Sequence, residues 1–141
     1  MVKILFDTNT LFPAWLYLNG VCAKAFNKAI SNKNYSVVVC TYTLEEFLEN
    51  CNKKFPSEMS KIQAFLSDMF LRIKLIRTPP ESEKIPEEEL IRDIDDRPIL
   101  RAAVAAGVDI IVTGDKDFLE SGLKNPKIIS PADFINFTEE I

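Results

Sequence analysis

Residues 96–115 read DRPILRAAVAAGVDIIVTGD, an Ala-rich run that leads directly into a β-branched one. The first part predicts a helix at 96–106, which Gly107 would end as a C-terminal cap. The second part predicts a strand at 109–113. A short, continuous apolar strand of this kind is typical of a parallel sheet that is covered on both faces.

The same alternation of strands and helices extends over the rest of the chain. Further strands are predicted at 2–6, 35–40, 73–76 and 127–129. Further helices are predicted at 11–18, 20–31, 43–54, 58–71, 116–121 and 131–139. This order, without internal repeats, predicts a single α/β domain over residues 1–141, with three α/β/α layers and a central parallel sheet of about four to five strands. The acidic, Pro-containing segment 79–89 is expected to be a surface connection.

Composition excludes several classes of enzyme. The chain has no histidine, so it cannot hold a Ser-His-Asp triad or an imidazole-ligated zinc ion by itself. Its three cysteines lack C-x-x-C spacing, and no export signal or membrane span is evident. We therefore expect reduced thiols and a cytoplasmic location, with no membrane partner.

The charge of the chain is unevenly distributed. The formal net charge is −4, but residues 81–96 alone hold eight acids and two bases, a net charge of −6. The rest of the chain is therefore net positive by two charges. Total charge does not exclude a nucleic acid as a partner.

Acidic side chains follow several of the predicted strands. The candidates are Asp7, Glu45 or Glu46, Asp95 or Asp96, and Asp115. Because sites in open parallel sheets form just beyond the carboxyl ends of the strands, these four segments can deliver acids to one place.

Each acid taken alone has a simpler structural explanation. Thr43 and Glu46 fit a capping box, Asp95 or Asp96 before Pro98 fits a helix N-cap, Asp115 fits another, and Asp7 fits a turn. Taken together, these explanations weaken, since two carboxylates ~4 Å apart repel by roughly 4 kcal/mol at an effective dielectric of about 20. Oxygen ligands without His or Cys favour Mg²⁺ or Mn²⁺, and such a cation favours phosphodiester hydrolysis by an activated water.

Three motifs carry a resemblance that covers essentially the whole chain. They are ILFDTNTL at 4–11, TLEEFLE at 43–49 and RDIDDRPILRAAVAAGVDIIVTGDKDFL at 92–119. In this order they resemble the PIN-domain family, and within it the branch that contains VapC-like ribonuclease toxins of toxin–antitoxin pairs. The resemblance implies a PIN-like fold and an endoribonuclease that depends on Mg²⁺ or Mn²⁺.

The resemblance also implies roles for individual residues. The catalytic, metal-binding acids would be Asp7, Glu46, Asp96 and Asp115, with Asp117 as a further metal ligand and with Asn9 and Thr113 as supporting hydrogen-bond partners. Glu45 competes with Glu46, and Asp93 and Asp95 compete with Asp96. Asp115 and Asp117 are only two residues apart, which is closer than in many relatives, so the division of labour between them stays open.

The implied partners are RNA, an antitoxin protein and a second copy of the chain in a homodimer. Lys53, Lys54 and Lys61 are candidates to guide a single RNA strand towards the acids. An antitoxin could insert an Arg or Lys among the carboxylates and cover apolar surface near FPAWLYLNG, residues 12–20.

Two other functions compete with the ribonuclease. One is a catalytically silent PIN module that serves as a binding scaffold. The other is a haloacid-dehalogenase-type phosphatase, although Asn9 stands where that family needs a second Asp for acid–base catalysis.

Overall fold

A five-stranded, fully parallel sheet forms the centre of the computed structural model, which describes residues 1–138. The strands are β1 (Val2–Phe6), β2 (Tyr35–Cys40), β3 (Lys74–Ile76), β4 (Ile110–Val112) and β5 (Lys127–Ile129). Their spatial order is β3-β2-β1-β4-β5, so the first strand lies in the middle of the sheet. The prediction of a central parallel sheet of four to five strands is confirmed.

Helices cover both faces of this sheet. They are α1 (Thr8–Leu16), α2 (Val21–Ser31), α3 (Thr41–Lys54), α4 (Met59–Met69), α5 (Arg97–Ala105), α6 (Lys116–Leu119) and α7 (Pro131–Ile135). Short 3₁₀ turns lie at Pro56–Glu58, Glu81–Glu83, Pro86–Leu90 and Ile94–Asp96. Within residues 1–138, no helix has both the length and the apolar character that crossing a membrane requires.

The alternation of side chains along β1 separates two hydrophobic cores. Ile4 and Phe6 point to a core built with α1, α2, α3, α4 and α7, where the ring centroid of Phe6 lies 5.3 Å from that of Phe26. Leu5 points to the other face, where α5 and α6 supply the packing. Successive strand residues face opposite sides of a sheet, so one central strand anchors both helical layers. The three-layer architecture is confirmed.

Two helices begin earlier than the sequence predicts, for identifiable reasons. Helix α1 begins at Thr8 rather than residue 11, because the Asp7 carboxylate accepts a hydrogen bond from the Asn9 amide and caps the helix. Helix α3 begins at Thr41 rather than residue 43. The expected capping box at Thr43 is therefore wrong: Thr43 is buried inside the helix, with its hydroxyl 3.2 Å from the Cys40 thiol.

The remaining helix ends also differ slightly from the prediction. Helix α7 ends at Ile135, short of the predicted 139, and residue 139 lies outside the described residues. Helix α5 ends at Ala105, where Gly107 adopts the positive φ of 69° that glycine tolerates best.

The segment 79–89 is more than the surface connection that its composition indicates. Glu88 and Arg101 are both buried, and the Arg101 guanidinium donates to the two Glu88 carboxylate oxygens over 2.7 and 3.1 Å. Arg101 also donates to the Pro79 carbonyl, and Glu88 accepts from the Ile85 amide. This ion pair ties the acidic segment to the middle of α5.

Candidate metal centre

A cleft of about 360 Å³ opens where the chain leaves the carboxyl ends of β1, β2 and β4. Its walls come from four separate segments of the chain. The lining residues are Asp7, Thr8, Asn9, Phe12, Pro13, Glu46, Asn50, Asp96, Ile99 and Asp115. The structure therefore brings together the four acids that the sequence singles out as catalytic.

Asp7 lies at the bottom of the cleft and is 1% exposed. One carboxylate oxygen accepts from the Asn9 amide at 3.0 Å, and the other accepts from the Thr113 hydroxyl. Burial raises the pKa of Asp7 to about 7, and the nearby Asp115 charge adds to the rise, although the hydrogen bonds oppose it. Without a cation, this carboxylate is therefore only partly ionised at neutral pH.

Hydrogen bonds link the Asp7 loop to the loop that follows β4. The Thr113 hydroxyl donates to Asp7 and accepts from the Asp115 amide at 3.0 Å. The Asn9 side-chain oxygen accepts from the Gly114 amide at 3.2 Å. Asn9 and Thr113 thus link the Asp7 loop to the Asp115 loop, and their role in supporting the metal ligands stays a prediction.

Glu46 reaches the cleft from the second turn of α3. The Thr8 hydroxyl donates to its carboxylate at 2.8 Å, and burial raises the pKa of Glu46. Its neighbour Glu45 is exposed and does not line the cleft. The geometry therefore favours Glu46 over Glu45 as the acid of this segment.

Asp96 carries the least satisfied oxygen of the site. It occupies the N-cap position of α5, yet its side chain makes no capping hydrogen bond, so the simpler explanation for this residue fails. When Asp96 and Asp115 are both ionised, the buried Oδ2 atom of Asp96 has no hydrogen-bond partner within residues 1–138, whereas a proton on one carboxyl would be shared between the two. Burial raises the pKa of Asp96 to about 8, together with contact with the Asp115 carboxyl and the charges of Asp93 and Asp7.

The other acids of the Asp96 segment lie outside the cleft. Asp95 is exposed and lines a separate cavity, so the geometry favours Asp96 over Asp95. Asp93 uses its carboxylate to cap the turn before α5 through the Asp95 amide.

Asp117 does not line the cleft, although it lies beside it. One carboxylate oxygen from each of Asp93, Asp96 and Asp117 falls within 4.8 Å of the others. Asp117 also pairs with Arg92 over 3.0 Å, and its amide donates to Asp115 at 2.8 Å. Asp115 therefore lines the cleft together with Asp7, whereas Asp117 groups with Asp93 and Asp96, which gives the two neighbours different positions.

The three candidate RNA-binding lysines are not equivalent. The Lys54 ammonium lies 5.3 Å from the ring centroid of Phe12, a residue that lines the cleft. Lys61 pairs with Glu58 over 3.0 Å, and Lys53 is exposed on the last turn of α3. Among these three, Lys54 is the lysine that is placed beside the cleft.

Sequence reasoning missed two polar residues of the cleft, Thr8 and Asn50. Asn50 follows Glu46 by four residues, so it lies on the same face of α3, and this spacing is a usable signal. Thr8 directly follows Asp7, but nothing in the sequence indicates that its hydroxyl reaches across to α3.

The donor set fits a hard divalent cation. All charged ligands are carboxylates, and Asn9, Thr8 and Asn50 add neutral oxygens nearby. The raised pKa values of Asp7 and Asp96 show that burial and the neighbouring acids disfavour the charged carboxylates, and described residues supply no cation that would offset this. Magnesium and manganese prefer such oxygen ligands.

The fold and the cleft define a class of protein that the family comparison identifies. A family model described as PIN domain matches residues 3–117, which is most of the chain. The chain therefore belongs to the PIN-domain family, as the sequence motifs predict. No curated protein matches the sequence significantly.

Solved structures agree on the fold. The chain is similar to one in the DNA-bound VapBC complex from Salmonella typhimurium, with a TM-score of 0.65, 18% identity, and coverage of 93% of this chain and 99% of that one. It is also similar to one in DNA-bound VapBC2 from Rickettsia felis, with a TM-score of 0.67, 17% identity, and coverage of 92% and 98%. A third similar structure is PAE2754 from Pyrobaculum aerophilum, with a TM-score of 0.67, 16% identity, and coverage of 96% of this chain and 88% of that one. At these identities the similarity establishes the fold.

Proposed function

We propose that this PIN-domain protein is a ribonuclease that depends on Mg²⁺ or Mn²⁺ and serves as the toxin of a toxin–antitoxin pair. The observation that carries the proposal is the cleft, where Asp7, Glu46, Asp96 and Asp115 converge from four segments. In the ionised site, a buried oxygen of Asp96 has no hydrogen-bond partner among the described residues. Four acids gathered without a base are costly unless a cation joins them.

The residues of the cleft would divide the work between binding and positioning. The four carboxylates would hold the cation. Thr8 would orient Glu46 and Thr113 would orient Asp7, while Asn9 would connect the loops that follow β1 and β4. When bound, the cation would polarise the phosphate and make an attacking water more acidic. Asp7 and Asp96, with their raised pKa values, would release their protons as the cation binds.

A cleavage assay with a matched pair of variants tests this function. Purified protein should cut single-stranded RNA with Mn²⁺ or Mg²⁺ present and stop when EDTA removes the cation. Glu46→Gln should lose the activity, whereas Glu45→Gln, which removes the adjacent exposed charge, should keep it. Equal activity of the two variants would contradict the assignment.

The antitoxin is proposed to occupy an apolar groove beside α2 and α4. This groove of about 200 Å³ is lined by Ala14, Leu18, Ala23, Phe26, Asn27, Ile30, Phe65, Asp68, Met69 and Arg72. Tyr17 and Leu18 are 62% and 75% exposed, in the segment where the sequence predicts a covered surface. Trp15 by contrast packs on Phe47 and Phe55. An apolar helix is the occupant that fits, and two of the related folds come from VapBC complexes.

Co-expression with a protein encoded beside this gene tests the partner. A true antitoxin should co-purify with the wild-type chain and with Lys61→Gln, but not with Leu18→Glu.

A homodimer stays a prediction that sedimentation velocity of the purified chain can test.

The two competing functions make different predictions. A silent PIN module should show no rise in melting temperature with Mn²⁺. A haloacid-dehalogenase-type phosphatase needs an acid two residues after Asp7, but Asn9 stands there and its side chain accepts from the Gly114 amide. Phosphatase activity on a small phosphoester, unaffected by Glu46→Gln, would favour that alternative.

A further inference from the structure

The cleft of the proposed ribonuclease lies against the most acidic part of the chain. Residues 81–96 carry a net charge of −6, and Asp93 and Asp117 flank the cleft acid Asp96. A polyanion that reaches this edge meets repulsion unless a cationic side chain contacts the phosphates beside the cut. Binding of an RNA substrate at this edge therefore depends on which basic side chains are free to contact its phosphates.

Most of the bases near this edge are already committed elsewhere. Arg101 is buried against Glu88. Arg97 and Lys84 line the separate cavity beside the acidic segment, and Arg97 donates to the Ile91 carbonyl at 2.9 Å.

Arg92 is placed differently, because it stands beside the acids of the cleft. Its Nε atom donates to Asp117 at 3.0 Å, and one terminal nitrogen donates to Glu120 at 3.5 Å. The side chain is 74% exposed. Ion pairs at such exposure are weak, so exchanging a carboxylate for a phosphate costs little. A guanidinium has five N–H donors, so the two contacts leave others available on this exposed side chain.

The order of the sheet places Arg92 and Lys54 on opposite sides of Asp7. Lys54 belongs to α3, which follows β2, whereas Arg92 pairs with Asp117 of α6, which follows β4. Strand β1, which ends at Asp7, lies between β2 and β4. A strand of RNA that contacts both bases would therefore cross the cleft, since Lys54 lies beside Phe12 of the cleft and Arg92 contacts Asp117.

We propose that Arg92 binds a phosphate of single-stranded RNA next to the phosphate that is cut, on the β4 side of the cleft and opposite Lys54. This inference rests on the proposed ribonuclease function. The planar fork of the guanidinium matches two phosphate oxygens, which a lysine at the same position would contact only as a point charge. Arg92 is thus a substrate-positioning residue, and the contact with Asp117 holds it ready at the edge of the cleft.

Binding of a labelled single-stranded RNA of mixed sequence tests the proposal. The measurement uses the Asp7→Asn background with Mg²⁺ present, so that the RNA stays intact, and compares Arg92→Gln and Arg92→Lys with Arg77→Gln. Arg77 is the matched control, because it is also exposed and pairs with a glutamate, Glu83, but follows the edge strand β3, which is not adjacent to β1. Arg92→Gln should raise Kd roughly three- to tenfold. It should also reduce the slope of log Kd against log salt by about 0.7. Arg92→Lys should keep the slope, and Arg77→Gln should change neither quantity.

Activity and metal response separate this role from a structural one. In the otherwise wild-type chain, Arg92→Gln should raise KM more than it lowers kcat and should leave the Mn²⁺-induced rise in melting temperature unchanged. An unchanged Kd, or one that changes equally in Arg77→Gln, would overturn the inference. So would a loss of the Mn²⁺ response with Kd unchanged, since Arg92 would then only position Asp117. A wild-type chain that neither binds nor cuts RNA would instead overturn the proposed function.

Discussion

Two regions of this protein bury carboxylates, and they treat the charge in opposite ways. Glu88 lies under the acidic segment with Arg101 hydrogen-bonded to both of its oxygens. Asp7 and Asp96 lie in the cleft with other acids as neighbours. Burial alone raises the pKa of a carboxyl, but the Arg101 bonds outweigh it at Glu88 and lower the pKa there. In the cleft, burial raises the pKa of Asp7 to about 7 and that of Asp96 to about 8.

The difference separates a structural carboxylate from a functional one. The Glu88 site is complete in the folded chain, because a base, the Ile85 amide and the Pro79 carbonyl close it. The cleft is incomplete, because described residues supply no compensating cation to the acids that converge there. A site with excess buried negative charge is a site prepared for a ligand.

The largest expected effect concerns activity at the cleft. Asp96→Asn should lower RNA cleavage by about 10³-fold or more, since it replaces a buried charged ligand with a neutral amide. Asp95→Asn, its matched control, removes an exposed charge and should stay within a few-fold of wild type. Initial rates at saturating Mg²⁺ measure both. Similar losses in the two variants would show that general negative charge, rather than the cleft geometry, supports the reaction.

At the Glu88 site, the expected effect is on stability rather than activity. Arg101→Met should lower the free energy of unfolding by about 3–5 kcal/mol, because it leaves Glu88 buried without its partner. Urea unfolding at neutral pH measures the loss. The double variant Glu88→Leu/Arg101→Met should recover much of it, since no charge is then buried. A double variant as unstable as the single one would indicate that packing, not the unpaired charge, causes the loss.

The two regions should also respond to pH with opposite sign. Free Asp ionises near pH 4, whereas Asp7 and Asp96 keep protons to about pH 7 and 8 when no cation is bound. Between about pH 4 and pH 8, the native state therefore binds more protons than the unfolded state. The free energy of unfolding of the metal-free protein should fall as the pH rises through this range. Glu88, with its lowered pKa, contributes stability that is lost only as the pH falls below the usual Glu range.

Thermal unfolding in EDTA across this pH range checks the sign. Asp7→Asn should unfold at a higher temperature than wild type near pH 8 and should show a smaller decline, because Asn can keep the N-cap without the charge. Wild-type stability that rises between pH 5 and 8 in EDTA would contradict the raised pKa values.

The smallest expected effect is at Thr8. Thr8→Val removes the hydroxyl that donates to Glu46 while keeping a β-branched side chain of similar shape. Mn²⁺ affinity should fall about tenfold, as is usual when a partner of a metal ligand is lost. Isothermal titration with Mn²⁺ measures the change. An unchanged affinity would mean that Glu46 is held by its helix alone.

Much of the fold was predictable from the sequence, because the strands are short apolar runs with clear periodicity. Chain order and the carboxyl-end rule were also sufficient to predict that acids from four segments meet at one sheet edge. The helix starts were less predictable. Helix α1 begins three residues earlier than apolar periodicity indicates, because the Asp7 side chain caps it, and a polar capping residue is not part of the apolar pattern.

The site details that sequence could not supply depend on packing between distant segments. Glu88 looked like part of a solvated acidic run, and only the three-dimensional contact with Arg101 shows that it is buried. The choice of Glu46 over Glu45 and of Asp96 over Asp95 depends on which way one turn of helix faces. The contact between Thr8 and Glu46 joins residues 38 positions apart, which local pattern does not encode.

The most direct test of the central claim is the melting temperature of the wild-type chain and four variants with and without saturating Mn²⁺. A cation that binds only the folded cleft at about 100 times its Kd adds about 2.7 kcal/mol, which corresponds to several degrees. We expect this rise in wild type, Glu45→Gln and Asp95→Asn, and its loss in Glu46→Gln and Asp96→Asn. No rise in wild type, or the same rise in all five proteins, would contradict a metal centre in this cleft.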